Sequence, residues 1–515
     1  MICARIIIFQ ILRLLFPVAG DLLSMKLPAE IYAITDVRKI DHAAIHEGGI
    51  SGYTLMGRAG KAAYDIARAR YPDAQCWQVV CGSGNNGGDA YVVARLAAKQ
   101  GVSVSVIAVG SPKKLSGDAA TAYMDYLASG GVVIEGVDNL DDSADLVIDG
   151  LFGSGLTRKV GGAYAAIINS MNAHGAPVLS LDMPSGLNGD NGKKMGPAVV
   201  ANITVTFVAL KTGLFIDSGP ELVGDLMFDD LDVPDKFRHG RVPVFRRINK
   251  SIVKKVLGPR DRGAHKGNFG HILVIGGAPG MSGAARLCGE AALRSGGGLV
   301  SIATHPSHSE EIVSERPELM CHGVECAGQL DPLLQKANVV AMGPGLGMSL
   351  WSRQLFEKTV ASGLPMVLDA DALNLLAGTG IKNNEWILTP HPGEAARLLG
   401  IDSTDIQSNR LNSMLNLQEK FSGIIVLKGA GTLISSNDGR PWICNAGNPG
   451  MASAGMGDVL TGIIAALLGQ KKDPEMAAAV GVQVHGLAGD KAALRGERGL
   501  VASDLIAEIR HWVNL

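Results

Sequence analysis

The sequence repeats one local pattern many times: a short apolar run, then a turn rich in glycine or acidic residues, then a helical pattern. Residues 77–80 form such a run, the turn at residues 81–89 follows it, and residues 91–99 have helical periodicity. Units of this kind place their strands side by side and parallel, because the helix carries the chain back to the same edge of the sheet. The pattern predicts an α/β protein with parallel sheets covered by helices.

Chain length and net charge limit the number of domains and the classes of binding partner. The chain has 515 residues and a net charge of −2. A single core rarely grows beyond about 250–300 residues, so we expect two domains, at residues 25–240 and 241–515. The small net charge argues against a nucleic-acid or anionic-membrane partner. Seven scattered cysteines are typical of a reducing compartment, and we expect a cytoplasmic protein.

Two segments fall outside the repeated pattern. Residues 1–24 carry an apolar run that Arg13 interrupts, and the run is short for a bilayer-spanning helix, so we expect no stable membrane insertion. We interpret this segment as an over-extended gene start or a disordered tail, although its basic flank and apolar centre leave a signal-like function open. The irregular stretch at residues 222–259, with its arginine cluster, is interpreted as a solvated linker.

Polar groups follow three apolar runs of the N-terminal half. The turn at residues 82–89 reads GSGNNGGD, Asp149 follows the run at 145–148, and Asp182 follows the run at 178–181. The carboxyl ends of parallel strands meet at the edge where open α/β sheets bind ligands. Asparagine and aspartate side chains there suit a cation or a ribose, although each Asp alone is also a common helix cap. Before this, residues 36–69 read as helical, with Asp36 as the cap.

Six apolar runs of the C-terminal half also end in polar or glycine-rich turns, and they lie at residues 271–275, 299–303, 339–342, 365–368, 386–388 and 424–427. Lys428, after the last run, suits a phosphate group, and His391 suits a hydrogen bond to a ligand. Asp369 and Asp371 fit either magnesium or a helix cap. His485 is interpreted as a packed helix residue.

The stretch at residues 447–458 carries the most specific signal. It reads GNPGMASAGMGD and runs directly into an apolar helical pattern at residues 459–468. Small residues let the backbone approach a ligand closely, and Asp458 lies where a helix begins, beside unpaired N–H groups that attract phosphate. An acid in this place suits a base that acts on a hydroxyl group next to a phosphoryl group.

The N-terminal motifs resemble the YjeF N-terminal family of NAD(P)H-hydrate epimerases, which implies a Rossmann-like three-layer domain with a parallel sheet. The resemblance assigns a potassium site to Asn86, Asp149 and Ser185. It assigns hydrate binding to Asn85, Asn86, Gly87, Gly88, Asp89, Gly153, Ser154, Gly155, Leu156, Thr157, Arg158, Lys159 and Asp182. Of these, Asp182 is also our candidate catalytic residue. The chain departs from the family at Ser83, where proline is common, and at Gly57, where an acid is usual.

The C-terminal motifs resemble the YjeF C-terminal family of ADP-dependent NAD(P)H-hydrate dehydratases, which has a ribokinase-like α/β fold. They read, in chain order, MSGA, GPGLG, DADALN, LTPHPGE, KGAGT and NPGMxxxGxGD. The resemblance assigns ADP binding to Lys428, Gly429, Ala430, Gly431, Thr432 and Gly457, and hydrate contacts to Ala284, Gly345, His391 and Asp458. Met456 stands where the family usually has threonine, and we expect activity to survive this change.

Together the resemblances imply a bifunctional repair enzyme and a homo-oligomer. One domain would interconvert the R and S forms of hydrated NADH and NADPH. The other would dehydrate the S form, with ADP as phosphoryl donor, Mg²⁺ as cofactor and Asp458 as the catalytic base, releasing AMP and phosphate. One alternative is an ATP-dependent kinase of a small vitamin precursor, which shares the C-terminal fold and the terminal Gly-Asp loop. Another is an N-terminal nucleotide sensor without catalysis.

Overall fold

The computed structural model describes residues 27–136, 139–314 and 316–515, and the extension at residues 1–24 lies outside these ranges. The chain divides into two compact units between Val244 and Phe245, close to the expected boundary at residues 240 and 241. Within the described residues, no helix is both long enough and apolar enough to cross a membrane.

The N-terminal unit is built on a parallel sheet. Its strands are β1 (Glu30–Tyr32), β2 (Cys76–Cys81), β3 (Ser103–Ala108), β4 (Val133–Glu135), β5 (Leu146–Gly150), β6 (Val178–Leu181), β7 (Ile203–Phe207), β8 (Leu210–Lys211) and β9 (Asp225–Asp229). Seven strands form the sheet in the order β4-β3-β2-β5-β6-β7-β9, and every neighbouring pair is parallel. The short strands β1 and β8 pair with each other, also in parallel.

Helices cover both faces of this sheet. They are α1 (Ile34–His46), α2 (Gly52–Arg70), α3 (Asn85–Lys99), α4 (Gly117–Ala128), α5 (Ala163–Ala173) and α6 (Gly219–Leu222). Successive residues of β2 point to opposite faces, so Val79 joins the core beneath α1–α4 and Val80 joins a second core beneath α5. The predicted three-layer, Rossmann-like architecture is confirmed.

The helical predictions in this unit need two corrections. Residues 36–69 form two helices, not one, because Gly49 adopts a φ of 67° and ends the first pattern; Ser51 caps the second helix by accepting a hydrogen bond from Thr54 N. Asp36 is not the cap, since α1 begins at Ile34. Helix α3 begins at Asn85 instead of residue 91, so the NNGGD motif forms its first turns.

The C-terminal unit has a larger mixed sheet. Its strands are β10 (Phe245–Arg247), β11 (His271–Ile275), β12 (Leu299–Thr304), β13 (Met320–Gly323), β14 (Val339–Met342), β15 (Met366–Leu368), β16 (Trp386–Leu388), β17 (Ile424–Leu427), β18 (Thr432–Ile434) and β19 (Trp442–Cys444). Their order is β13-β12-β11-β14-β15-β16-β17-β18-β19-β10. Only the β17–β18 and β18–β19 pairs of this series are antiparallel.

The helices of this unit are α7 (Lys250–Leu257), α8 (Ser282–Arg294), α9 (Ser309–Val313), α10 (Asp331–Leu334), α11 (Leu350–Val360), α12 (Ala370–Leu376), α13 (Pro392–Leu399), α14 (Ser403–Ser408), α15 (Arg410–Phe421), α16 (Met456–Gly469), α17 (Pro474–Ala492) and α18 (Ala502–Trp512). Helix α16 is buried on nearly every face and packs on α8 and α17. A Cβ at Gly462 would lie 2.1 Å from the Cys288 carbonyl oxygen, so α16 and α8 approach closely at this glycine.

The expected solvated linker is instead part of the fold. Arg246 lies in β10, where its guanidinium stacks 4.0 Å from the centre of the Trp442 ring and lies 3.1 Å from Glu475 Oε1. Arg247 is also half-buried. The prediction was wrong because an arginine can use its planar head and long apolar stem to pack, which a charge count does not reveal.

Candidate active sites

The N-terminal unit contains a cavity of about 740 Å³ at the carboxyl edge of its sheet. Most of the predicted hydrate-binding residues line it, namely Asn85, Asn86, Asp89, Gly153, Ser154, Gly155, Leu156, Thr157, Arg158 and Asp182. Gly87, Gly88 and Lys159 do not. A Cβ at Gly87 would lie 2.1 Å from the Gly82 carbonyl oxygen, so this glycine permits the tight β2–α3 turn behind the cavity wall.

Of the three residues predicted for potassium, Asn86 lines this cavity, and Asp149 and Ser185 are fully buried. The Asn86 side chain is 8% exposed, and neither its Oδ1 nor its Nδ2 has a hydrogen-bond partner among the described residues. Asp149 is fully buried and accepts hydrogen bonds from Ser180 Oγ at 2.8 Å and Ser185 Oγ at 2.5 Å. Burial raises the pKa of Asp149 although these hydrogen bonds favour the carboxylate. Asp149 has four hydrogen-bond donors but no ion-pair partner among the described residues, and the Asn86 amide is unsatisfied; a cation would relieve both.

Asp182 is the most constrained acid of the cavity. It follows β6 with a φ of 62°, a conformation that residues other than glycine rarely adopt. Its Oδ2 accepts the Ser154 N–H at 2.8 Å, and its Oδ1 is paired with the Lys211 ammonium group. Burial alone raises the pKa of a carboxyl group, but the Lys211 charge reverses this and holds the pKa of Asp182 below its usual value.

The sequence analysis missed Lys211 and Asp41, which line the same cavity. Lys211 is 1% exposed and belongs to the short strand β8, and none of the glycine-rich motifs of the sequence analysis adjoins this strand. Asp41 lies on α1, ahead of every motif that drew attention to this half of the chain. What marks both residues is a charged side chain in a buried or half-buried position, and burial cannot be read from the sequence.

In the C-terminal unit, Asp458 lies in the first turn of α16, as predicted. Lys428 follows β17, and its Nζ lies 2.7 Å from Asp369 Oδ1 and 3.7 Å from Glu394 Oε2. The same ion pair lies next to Gly457, where a Cβ would be 3.4 Å from Lys428 Nζ and 3.5 Å from Asp369 Oδ2. The structure therefore brings the KGAGT, DADALN and HPGE motifs to the start of α16.

The charges around Asp458 change its proton affinity. Burial, followed by repulsion from Asp369, raises the pKa of Asp458 to about 7, while Lys428 acts in the opposite direction. For Lys428, burial favours the neutral amine, but Asp369 and Glu394 outweigh it and raise the pKa. Asp458 is therefore poised to gain and lose a proton near neutral pH, while Lys428 stays charged.

The sequence left two interpretations of Asp369 and Asp371 open, magnesium binding and helix capping, and the structure shows which groups these side chains contact. Asp369 occupies the N-cap position of α12, but its side chain makes no capping hydrogen bond. It binds Lys428 and accepts a hydrogen bond from Thr461 Oγ1 at 2.8 Å instead. Asp371 accepts the Gly347 N–H at 2.8 Å and so fixes the GPGLG turn. Both carboxyl groups already have protein partners.

His391 is the N-cap of α13, a role that the sequence analysis did not foresee. Its Nδ1 accepts hydrogen bonds from Gly393 N at 3.0 Å and Glu394 N at 3.3 Å. Nδ1 is therefore unprotonated, and Nε2 carries the hydrogen of the neutral ring. Burial and the Lys428 charge lower the pKa of His391, and the side chain is 50% exposed. Nε2 lies 3.3 Å from Glu394 Oε1, so an Nε2–H that donates to a ligand would have to leave or share this contact.

The remaining predicted residues form two glycine-rich turns. Gly345 has a φ of 59°, and a Cβ there would lie 3.1 Å from Ala284 Cβ, so these two predicted hydrate contacts are neighbours. Arg410 stabilises the KGAGT turn, residues 428–432, because its Nη1 donates a hydrogen bond to the Ala430 carbonyl oxygen at 2.6 Å. Arg410 was missed in the sequence because it lies on α15, outside every motif.

One other prediction concerns a residue near this site. His485 is packed in α17 as expected; its Nε2 lies 3.0 Å from the Met456 carbonyl oxygen, and burial lowers its pKa to about 4.

A separate cavity of about 960 Å³ in the C-terminal unit, lined by Arg260, Phe269 and Arg510 among others, includes none of the predicted dehydratase residues.

Two α/β units, each with charged side chains gathered where glycine-rich turns follow parallel strands, define a two-domain enzyme that acts on nucleotides. The family described as NAD(P)H-hydrate dehydratase matches residues 272–511, and the family described as YjeF-related protein N-terminus matches residues 52–213. The chain belongs to the family of bifunctional NAD(P)H-hydrate repair enzymes.

Full-length relatives support this assignment. The bifunctional NAD(P)H-hydrate repair enzyme Nnr of Coxiella burnetii is 46% identical over 485 residues, which cover 94% of this chain and 99% of that protein. The enzyme of the same name from Escherichia coli is 42% identical, with 95% of each chain covered. Among solved structures, a ribokinase-like superfamily protein of Enterococcus faecalis is similar to 53% of this chain and 96% of its own, with 29% identity and a TM-score of 0.50. These similarities favour the repair enzyme over the kinase and sensor alternatives.

Proposed function

We propose that this protein repairs NADH and NADPH whose nicotinamide ring has taken up water. The N-terminal unit interconverts the R and S hydrates, and the C-terminal unit dehydrates the S form with ADP as phosphoryl donor, in the cytoplasm. The observation that carries this proposal is the position of Asp458, a carboxyl group with a pKa near 7, at the start of α16 beside the Lys428–Asp369 pair.

Dehydration needs activation because hydroxide is a poor leaving group. In the proposed step, Asp458 takes the proton of the substrate hydroxyl group. The hydroxyl oxygen of the substrate forms a bond to the β-phosphorus of ADP, and the bond from that phosphorus to AMP breaks. Phosphate then leaves with the C–O electron pair, and loss of a proton from the adjacent carbon restores the ring double bond. A base with a pKa near the working pH is the most effective for the first transfer.

Charge develops on the transferred phosphoryl group during this step. Lys428 and the unpaired N–H groups in the first turn of α16 supply positive charge next to Asp458. Gly457 lacks a side chain over the ion pair, so the diphosphate can approach this backbone. His391 would turn its Nε2–H from Glu394 to the hydrate, and Ala284 and Gly345 would line the hydrated nicotinamide ring.

The proposed cations fit the two sites differently. Asn86, Asp149 and Ser185 suit potassium, because Asn86 Oδ1 is buried without a partner and Asp149 is a buried carboxylate. Potassium there would neutralise charge beneath the N-terminal cavity. Within the described residues, no cluster of three or more acidic, histidine or cysteine side chains could hold a metal. Magnesium would therefore enter with the phosphates of ADP, and no protein cage for it is proposed.

One assay tests both activities. Purified protein is incubated with a mixture of R and S NADH hydrates, with and without ADP, and the absorbance of the restored dihydronicotinamide is followed. We expect recovery only with ADP, and AMP and phosphate in equal amounts. A stable phosphorylated product, or recovery without a nucleotide, would contradict the proposal. Gel filtration of the same sample tests the expected homo-oligomer.

A further inference from the structure

Four charged side chains, Asp41, Asp89, Asp182 and Lys211, meet in the N-terminal cavity. Asp182 is fully fixed, because one oxygen accepts the Ser154 N–H and the other pairs with Lys211. Asp41 and Asp89 differ from it. Among the described residues, neither carboxyl group has a hydrogen-bond or ion-pair partner, although each lines the cavity.

Lys211 cannot serve as that partner. Its ammonium group has three hydrogens, and it donates to Asp182 Oδ1, to Thr206 Oγ1 at 2.8 Å and to the Phe207 carbonyl oxygen at 2.7 Å. All three hydrogens of the ammonium group are thus committed. The Asp41 carboxyl group is therefore left beside an ion pair that it cannot join.

Three carboxyl groups around one ammonium group cannot all ionise in a partly buried cavity, because like charges and desolvation favour protonation. Asp182 is the member that ionises, since Lys211 pairs with it. Burial, with repulsion from Asp182, raises the pKa of Asp41 to about 6 in spite of the Lys211 charge. The same cavity thus holds one carboxylate together with carboxyl groups that retain a proton more readily.

We propose that Asp41 is a catalytic residue of the epimerase site, forming a proton-transfer pair with Asp182, which Lys211 holds in place as the ionised member. This inference rests on the proposed function and extends it to a residue outside the matched range of the N-terminal family, residues 52–213. Lys211 acts only through Asp182 and is a positioning residue.

The chemistry of the hydrate requires such a pair. Water adds to the ring carbon bonded to nitrogen, because an enamine protonates at the carbon next to that one and leaves an iminium ion. To invert this centre, protonated Asp41 gives its proton to the hydroxyl oxygen, the C–O bond breaks, and water leaves as the nitrogen lone pair forms C=N⁺. A water molecule then adds to the opposite face, its oxygen forms the new C–O bond, the C=N electron pair returns to nitrogen, and Asp182 takes the released proton. Proton exchange with solvent then returns Asp182 to the carboxylate and Asp41 to the protonated form.

The Asp41–Asp182 pair must hold one proton in total to act, so the rate of interconversion should depend on pH. The other charged groups that line the cavity around Asp41 are Arg38, Asp89, Asp118, Arg158, Asp182 and Lys211. As the pH rises through the pKa of Asp41, the pair loses its proton and kcat/KM for interconversion falls about tenfold per pH unit. An Asp41→Asn protein lacks this descending limb, so its residual rate does not change over the same range.

The test uses the full chain without ADP, so that no hydrate is consumed, and follows R and S NADH hydrate by chromatography. We expect Asp41→Asn to slow interconversion by at least about 100-fold and to keep hydrate affinity within about threefold, since Asn preserves size and polarity. Asp36→Asn is the matched control: the same change on the same helix, at a residue paired with Lys39 and outside the cavity, should leave the rate unchanged.

The possible failures are distinct. If Asp41→Asn interconverts the hydrates at the wild-type rate, or keeps a descending limb near pH 6, the assignment of Asp41 is overturned while the epimerase function stands. If the wild-type protein does not interconvert the hydrates at all, the proposed function of the N-terminal unit itself fails.

Discussion

Asp182 and Asp458 are carboxyl groups in comparable surroundings with opposite proton affinities. Both lie at the carboxyl edge of a sheet and both are largely buried, but Asp182 has an ammonium group as its direct partner. Lys428, the corresponding cation of the C-terminal site, pairs with Asp369 and not with Asp458. One acid is therefore stabilised as a carboxylate, and the other retains a proton up to neutral pH.

Asp458→Asn removes the proposed base while keeping the shape of the side chain. We expect ADP-dependent recovery of NADH to fall by a factor of about 10²–10⁴, because positioned proton transfer typically contributes this much. Interconversion of the R and S hydrates should be unchanged. Asp405→Asn, at an exposed position on α14, is the control and should retain full activity. Dehydration at the wild-type rate in the Asp458→Asn protein would remove Asp458 from the mechanism.

The same residue should make stability depend on pH. The pKa of Asp458 is about 7 in the folded protein and about 3.9 when unfolded, so the folded state holds a proton that the unfolded state has lost. Its contribution to stability is fully present below about pH 4 and is lost as the pH rises through 7. Asp458→Asn does not titrate, and it should gain about 1–3 kcal/mol relative to wild type between pH 4.5 and pH 8, after allowing for partial solvent screening.

Urea unfolding of both proteins at the two pH values measures this difference. The Asp405→Asn protein, which carries the same substitution at an exposed position, is unfolded in parallel as the control. A constant difference between Asp458→Asn and wild type would mean that Asp458 is not perturbed in the folded protein.

Two of the three glycines of helix α16, Gly457 and Gly462, have different roles that can be tested separately. A Cβ at Gly457 meets only Lys428 Nζ and Asp369 Oδ2, at 3.4 and 3.5 Å, whereas a Cβ at Gly462 would lie 2.1 Å from a backbone oxygen of α8. We expect Gly457→Ala to raise the Kd for ADP about tenfold or more with nearly unchanged stability. Gly462→Ala should destabilise the C-terminal unit by about 1–3 kcal/mol through overpacking and bind ADP normally when folded.

Calorimetric titration with ADP and urea unfolding give the two quantities for each protein. The pair of substitutions is matched, since each adds one methyl group to the same helix. Equal effects on affinity would mean that the first turn of α16 is not where the nucleotide binds.

Strands and helices with clear boundaries could be predicted from the sequence. The bounds of β11, β14, β16 and β17 matched the predicted runs, because each run is apolar apart from His271 and ends at a polar or glycine-rich turn. The three-residue strands β18, β19 and β10 were missed; pairing with neighbouring strands stabilises them, and their own sequence patterns are weak. Lys211 was missed for a similar reason, since its partner Asp182 is distant in sequence and only the fold joins them.

At the scale of the whole chain, the two units complement each other chemically. A dehydratase that accepts only the S hydrate leaves the R hydrate behind, and an epimerase alone restores no NADH. We expect each activity to be separable by mutation and the two activities to add in solution, with the hydrate exchanging through the solvent. This independence follows from the separate cores of the two units.

Full-length Asp182→Asn tests that relation. With excess ADP and mixed hydrates, it should restore the S share rapidly and then continue only at the slow rate of uncatalysed epimerisation, whereas the wild-type protein should go to completion in one phase. Adding the Asp458→Asn protein, inactive alone, should convert the slow phase into a fast one, because it supplies interconversion to an intact dehydratase. That complementation also proves that both variants are folded. If Asp182→Asn alone completes the reaction at the wild-type rate, Asp182 has no catalytic part in epimerisation; if the mixture remains biphasic, the two activities are not independent.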